Sequence, residues 1–264
     1  MPPTPPRVFV LGHRGFVGSA YAAHLRAVGV DLVGIDRGNY DAYRGHRADV
    51  VINADGSSDR RLAQSNPLAS FRLNVDTTLA SLVDFPCEQY IHICTIGVYE
   101  HPADPSRNHE AVQIDPFALA PYGFFKYLGE LVVRKYARRW LVVRLGPLVG
   151  PGLRKNSIYD LLARRTLFFN PESTMPYIDT RVAARLTWDL REETDQIFNI
   201  CGAGHVRLAD VAQALGVELS PDLHELPYDN FNVNIDKLRA RRDVPDSMSA
   251  VLAFAREWRE GALS

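Results

Sequence analysis

Tyr122 and Lys126 stand four positions apart in the run Tyr122-Gly123-Phe124-Phe125-Lys126. In a helix that spacing puts both side chains on one face. An ammonium beside a phenol stabilises the phenolate and lowers its pKa toward the working pH. Such a tyrosine can exchange a proton with an alcohol while hydride moves to or from the alcohol carbon, and the lysine can also hold a nicotinamide ribose. Thr95 ends an apolar run and offers a neutral hydroxyl. Thr95 and Tyr122 pointing at one substrate oxygen would stabilise its changing charge. Taken alone, Tyr-x-x-x-Lys is common in amphipathic helices, and Thr95 also reads as a strand-end hydrogen-bonding residue. The triad of Thr95, Tyr122 and Lys126 gains weight from what precedes it.

What precedes it is a nucleotide turn. The apolar run Arg7-Val8-Phe9-Val10-Leu11 ends in Gly12, Gly15 and Gly18, three apart, and an alanine-rich stretch follows. Gly12 allows a sharp turn after a strand, Gly15 lets backbone approach a pyrophosphate, and Gly18 lets the new helix pack closely on the sheet. The pyrophosphate then sits over free N–H groups at the helix start, around Phe16 and Val17, with Arg14 adding a charge at the rim. A second apolar run, Asp31 to Ile35, closes on Asp36, 18 residues past Gly18. A carboxylate there accepts from an adenosine ribose and repels a 2′-phosphate, which favours NAD; Arg37, next in line, keeps NADP open. Asn53-Ala54 ends a third apolar run on the cofactor side. Asn74, on a helix expected over 70–85, bridges backbone or water to Lys126, or else makes an inter-element hydrogen bond.

These groups need a scaffold. Strands are expected at 7–11, 31–35, 48–54, 89–95, 141–145 and 196–200, with helices between them, the Tyr–Lys helix lying within 116–139. Alternating β and α elements give an α/β fold, a doubly wound parallel sheet of Rossmann type. The stretch 38–46 is too short for a full crossover helix and another strand, so one element of larger doubly wound domains is missing. The pattern is less regular after Gly150-Pro151-Gly152. We expect a dinucleotide-binding domain over 1–150 and a small C-terminal substrate-binding cap over 151–264, possible segments of which cross back. Helices are expected at 157–165, 180–192, 206–215 and 247–260.

Composition narrows the class. The 264 residues are 46% hydrophobic and carry 30 basic and 31 acidic side chains, a formal net charge of -1. No basic tract marks a nucleic-acid surface. Cys87, Cys94 and Cys201 are scattered, and His13, His92, His101 and His109 lack a tight ligand spacing, so neither a disulfide framework nor a metal site is expected. The proline-rich head has no long apolar core, and no run spans a membrane, which makes a cytoplasmic enzyme the default.

At this point the chain resembles the extended short-chain dehydrogenase/reductase family, particularly its nucleotide-sugar epimerases, dehydratases and ketoreductases, over roughly residues 7 to 200. Gly12, Gly15 and Gly18 match the nucleotide motif, Asp36 the ribose acid, Thr95 the catalytic serine or threonine with Val98-Tyr99 at the expected offset, and Tyr122 and Lys126 the catalytic pair. Arg144 to Gly152 and Asn199-Ile200-Cys201-Gly202 are similar to later family segments. The resemblance implies a nucleotide sugar or related alcohol as substrate. It also implies a homodimer formed through two helices, to which Leu128, Leu131, Val132 and Tyr136 could contribute, although core packing explains them as well. Where the sugar dehydratases follow the threonine with Asp-Glu, this chain has Ile96 and Gly97, which cannot move the additional protons. Decarboxylases with a glutamate at the place of Gly97 are disfavoured too. Ile178-Asp179-Thr180-Arg181 replaces a Val-Asp-Asp pattern.

The short link after Asp36 and the Gly12-His13-Arg14-Gly15 turn are closer to ketosugar reductases, so an NAD(P)-dependent ketosugar reductase is the first expectation. A nucleotide-sugar epimerase with retained NAD is the alternative, and a non-catalytic dinucleotide-binding protein a third reading. Arg154, Lys155, Arg181 and Arg239 are candidate diphosphate contacts, each also readable as a solvated surface residue. Tyr99 lines the substrate mouth or packs beneath the loop, and Arg144 is read as structural.

Overall fold

A computed structural model of the chain describes residues 4–261. Six strands form one parallel sheet in the order β2-β1-β3-β4-β5-β9, comprising β1 (Arg7–Leu11), β2 (Asp31–Ile35), β3 (Ala48–Asn53), β4 (Cys87–Thr95), β5 (Trp140–Leu145) and β9 (Gln196–Ile200). Helices α1 (Phe16–Ala27), α2 (Tyr40–Tyr43), α3 (Arg60–Ser65), α4 (Pro67–Phe71), α5 (Thr77–Asp84) and α6 (Pro121–Tyr136) connect the first five strands. Further along lie β6 (Leu148–Val149), α7 (Ser157–Leu162), β7 (Thr174–Met175), β8 (Ile178–Asp179), α8 (Thr180–Asp189), β10 (Val206–Arg207), α9 (Leu208–Leu215), α10 (Asp236–Arg239) and α11 (Ser247–Arg259). This is the expected Rossmann-like α/β class with additional C-terminal helices and short strands.

The sheet follows from its residues. Val8, Phe9, Val10 and Leu11 are all buried, as a central parallel strand covered on both faces requires. β1 is flanked in register by β2 and β3, with Leu11 opposite both Ile35 and Asn53. That register ends three strands together and puts Gly12, Asp36 and Ala54 at one edge. Between β2 and β3 only the single turn of α2 intervenes, so β2 is the sheet edge. On α1, Gly18, Tyr21, Ala22 and Leu25 are buried, an i, i+3, i+4, i+7 stripe. Phe9, Ile35, Val51, Phe85 and Tyr90 share one core cluster, and the Phe9 and Phe85 rings meet edge to face with centroids 6.0 Å apart.

The chain divides into two compact units. One runs to Glu100 and adds Gln113–Arg144 and Ala184–Phe198; the other comprises His101–Val112, Leu145–Ala183 and Asn199 onward. Within the second unit, Asn199 is fully buried and its side-chain amide donates to the carbonyls of Asn108 (3.1 Å) and Asn234 (2.9 Å). Asn108 in turn donates to the Asn232 carbonyl at 2.9 Å and accepts from the Asn234 N–H at 2.8 Å. Two asparagines thereby tie three distant segments into one body.

Two expected helices differ. The span 70–85 is helical but widens into a π-turn over Arg72–Asp76 between α4 and α5. Asn74 sits in that turn, where local side-chain bonds compete with regular helix pairing. The helix expected from Val206 starts two residues later, because Val206 and Arg207 pair antiparallel with Met175 and Thr174.

Burial of phenols predicts alkaline lability. Tyr21 and Tyr90 are buried, and desolvation raises both well above the ordinary tyrosine value, against weaker lowering by hydrogen bonds from Thr187 and Ser81 respectively. A folded-state pKa above the unfolded one means that stability is whole below about pH 10 and drains as pH rises, because only the unfolded chain ionises. Each such tyrosine costs about 1.4 kcal/mol per pH unit above that point. The urea midpoint is expected to fall steeply between pH 9.5 and pH 11, in the approximate window set by the tyrosine reference value. A flat midpoint across that range would show that these phenols ionise in place.

Candidate active site

At the nucleotide turn, Gly12 has φ +73, and its N–H donates to the Ile35 carbonyl at 3.0 Å. A Cβ at Gly12 would press on the backbone of Ala54 and Asp55 at 3.0 Å. A Cβ at Gly18 would run into the Gly12 carbonyl, so α1 can approach the turn this closely only without a side chain there. Gly15 caps α1, with no side chain capping the helix and no acid in its first turn. The N–H groups at Phe16 and Val17 thus lie at a positive helix end that the chain itself leaves uncapped by a side chain. That cradle fits the pyrophosphate of a dinucleotide.

Asp36 lies at the end of β2 with Oδ1 accepting from the Gly38 N–H at 2.7 Å and Oδ2 paired with Arg14 Nε at 2.9 Å. Arg14, from the glycine turn, and Asp36 are therefore brought together. Arg37 is exposed beside them. Asn53 is buried, and its Oδ1 accepts from the Asp55 N–H at 3.0 Å, shaping the turn that holds Ala54. Asn74 is buried in the π-turn. Its Oδ1 accepts from the Ser57 N–H at 3.1 Å and its amide donates to the Ser70 carbonyl at 3.0 Å. The first joins the π-turn to the Ser57 loop, and the second is a local bond to the residue one turn earlier.

Thr95, Tyr122 and Lys126 come from β4 and α6. Thr95 caps a short 3-10 turn, Ile96–Val98, accepting from the Gly97 N–H at 3.1 Å. Its hydroxyl and the Tyr122 ring flank one point: a Cβ built at Gly97 would lie 3.4 Å from the first and 3.5 Å from the second. Pro121 starts α6, where its missing N–H costs nothing. Gly123 packs against the Gly97 carbonyl, a contact that a Cβ would block. Gly129 packs on the Asn74 carbonyl, which a Cβ would approach to 2.6 Å. Two glycines thus seat α6 against the Thr95 turn and the π-turn. Lys126 is buried, and its Nζ donates to the Ile93 carbonyl at 3.1 Å.

The electrostatics correct one expectation. Tyr122 is raised, not lowered: burial pushes its phenol up, and the Thr95 hydroxyl and the charge of Arg60 only partly oppose it. Burial also lowers the Lys126 ammonium, with Cys94 and Asp55 pulling the other way. Neither group figures among the causes that shift the other, so the Tyr–Lys pairing that the spacing suggests does not set either value here. Next to Lys126, the Cys94 thiol is pushed up to about 12 by burial and stays neutral.

Sequence reasoning missed Glu130 and the burial of His92, and it left the place of Tyr99 open. Glu130, one turn beyond Lys126, is fully buried and makes a bidentate pair with Arg144 at 2.9 and 2.7 Å. Arg144 also donates to the Tyr99 hydroxyl at 2.9 Å, so Tyr99 packs beneath the loop. His92 is buried on β4 with burial, then the Lys126 charge, holding it well below the ordinary histidine value. A glutamate at i+4 from the lysine was a visible signal; its partner was not.

Of the candidate diphosphate contacts, Arg181 is committed to Asp179 at 2.6 Å and Glu257 at 3.0 Å. Arg154, Lys155 and Arg239 are exposed. Leu128 and Val132 pack against Ala63, Val75 and Phe125. Among the described residues, no helix is long and apolar enough to cross a membrane, and no group of three His, Cys, Asp or Glu is placed to hold a metal ion.

Known structures share this architecture. A UDP-galactose 4-epimerase superposes with a TM-score of 0.76 at 25% identity, covering 97% of this chain and 99% of that one. A UDP-glucuronic acid 4-epimerase from Bacillus cereus, in complex with UDP-glucuronic acid and NAD, gives 0.78 at 18% identity over 96% and 99%. RMD from Pseudomonas aeruginosa, complexed with NADPH, gives 0.75 at 19% identity over 96% and 99%. No curated protein sequence matches significantly. Residues 8–201, which contain the glycine turn, Asp36, Thr95, Tyr122 and Lys126, match the NAD dependent epimerase/dehydratase family. The chain belongs to that family and is an NAD-dependent enzyme.

Proposed function

We propose that the protein is a nucleotide-sugar epimerase that keeps its NAD through turnover and inverts one sugar carbinol centre by way of a transient keto sugar. The observation that carries this reading is the convergence of Thr95 and Tyr122 on one point beside a glycine. A Cβ at Gly97 would lie 3.4 Å from Thr95 Oγ1 and 3.5 Å from the Tyr122 ring. A side chain there would reach the pair, and none is present. Ile96 is buried and apolar. Neither position can supply the further acid or base that water loss requires, whereas epimerisation needs a proton carrier at one oxygen only. The likeness to two 4-epimerase structures supports an epimerase over the ketosugar reductase expected from the short link after Asp36.

NAD, when bound, supplies the hydride acceptor and donor. The N–H groups at the start of α1 hold its pyrophosphate and Asp36 its ribose. Thr95 Oγ1 and Tyr122 Oη bind the reacting oxygen. Tyr122 takes the hydroxyl proton as the carbon is oxidised and returns it when the keto sugar, turned over, is reduced on its other face. Its raised pKa favours the proton-returning form. Lys126 brings the positive charge that stabilises the phenolate between the two steps.

The test uses purified protein with no added cofactor. Acid-released dinucleotide is expected to be NAD, near one per chain. UDP-glucose, UDP-galactose and UDP-glucuronic acid are then supplied, and one is expected to relax to a mixture of epimers with no net change at 340 nm. Consumption of NAD(P)H in step with loss of a keto sugar, without any epimer, would establish a reductase instead.

A further inference from the structure

The buried ion pair beyond the active site is oddly placed for a device of stability alone. Arg144 and Glu130 are 1% and 0% exposed. Removing two charges from water is costly, and apolar residues of similar size often serve the fold as well or better. What apolar residues lack is direction. The Glu130 carboxylate takes Arg144 Nε and Nη2 in a bidentate fork, and Arg134 adds a third contact at 3.4 Å. The remaining Arg144 nitrogen, Nη1, donates to the Tyr99 hydroxyl, while the guanidinium lies 5.0 Å from the Tyr99 ring centroid.

Two of the three partners sit on or next to an element that carries a reacting group. Glu130 is one turn beyond Lys126 and two beyond Tyr122 on α6. Tyr99 immediately follows the 3-10 turn capped by Thr95. Arg144 is on β5, in the core of the sheet. The Gly97–Gly123 contact fixes the near end of α6 against the Thr95 turn, and the three-residue network fixes the far end.

We propose that Glu130, Arg144 and Tyr99 are positioning residues, a clamp that sets the rotation of α6 and so the alignment of Tyr122 with Thr95. The clamp serves hydride transfer at this site, so its kinetic consequence rests on the function proposed above, while its structural consequence does not. Tyr99→Phe removes the acceptor for Arg144 and keeps the ring.

The experiment labels tyrosine at 13Cζ in the NAD-loaded protein, assigns Tyr122 by Tyr122→Phe, and needs no substrate. Tyr99→Phe is expected to move the Tyr122 resonance in the same direction as Thr95→Val, which removes the neighbouring hydroxyl. On whichever UDP-sugar the wild type converts, Tyr99→Phe is expected to lower kcat about tenfold with little change in KM, the signature of misalignment. The apolar double swap Glu130→Leu with Arg144→Met is expected to match or exceed wild-type Tm and still lose kcat, which a purely stabilising pair would not do. An unmoved Tyr122 resonance in Tyr99→Phe, or wild-type kcat in the folded double swap, would overturn the clamp. Should the double swap fail to fold, the Tyr99→Phe resonance decides. A wild type that converts none of the sugars would defeat the epimerase reading, and the resonance would still decide the clamp.

Discussion

Tyr122→Phe is expected to lower kcat by about a thousandfold, within the range that a positioned proton carrier contributes, while NAD binds as in the wild type. The structure makes this substitution clean. The Tyr122 ring packs against the cluster of Ala63, Val75 and Phe125, a contact that phenylalanine keeps. Only the hydroxyl is lost, and with it at most one hydrogen bond. Thr95 retains the Gly97 N–H as a partner. The net cost to the fold is therefore at most about 1 kcal/mol, or a Tm shift of about 2–4 °C for a chain of this size. On the proposed reading the cofactor is held by the glycine turn and Asp36, away from Tyr122. Turnover, NADH fluorescence titration and thermal denaturation separate the three effects. A kcat within tenfold of wild type would remove Tyr122 from the chemistry.

Gly18→Ala is expected to behave in the opposite way, weakening NAD binding about 10- to 100-fold, the equivalent of one lost charge-assisted hydrogen bond. Helix propensity alone would favour alanine by about 1 kcal/mol. Close packing reverses that. The added methyl meets the Gly12 carbonyl and comes 3.1 Å from the His13 Cα, both rigid backbone. The turn must shift, and overpacking of this kind costs about 1–3 kcal/mol, leaving a modest net loss of stability. The larger consequence is that the uncapped N–H groups of α1 no longer converge on one anion. Gly29→Ala is the control: its φ of +77 makes alanine strained, but nothing lies within 4 Å of the added atom. That variant is expected to lose some stability and keep its NAD affinity. Equal NAD affinity in Gly18→Ala and wild type would show that the cofactor does not use this turn.

By itself the sequence determined the parts of the protein whose physics is local. Buried parallel strands demand unbroken apolar runs, so β1 could be read directly. A chain turning sharply into a helix demands glycine, so Gly12 and Gly18 marked the nucleotide turn. The helical repeat puts Tyr122 and Lys126 on one face wherever the helix lies. Tertiary structure decided what depends on partners distant in sequence. Glu130 finds Arg144 on another element, and Gly123 finds the Gly97 carbonyl across a packing contact, pairings that no spacing rule encodes. The sign of the Tyr122 shift was reversed for the same reason. Lysine at i+4 argues for a lowered phenol, but burial is a property of everything packed around it, and in the folded protein desolvation dominates while the opposing charge comes from Arg60.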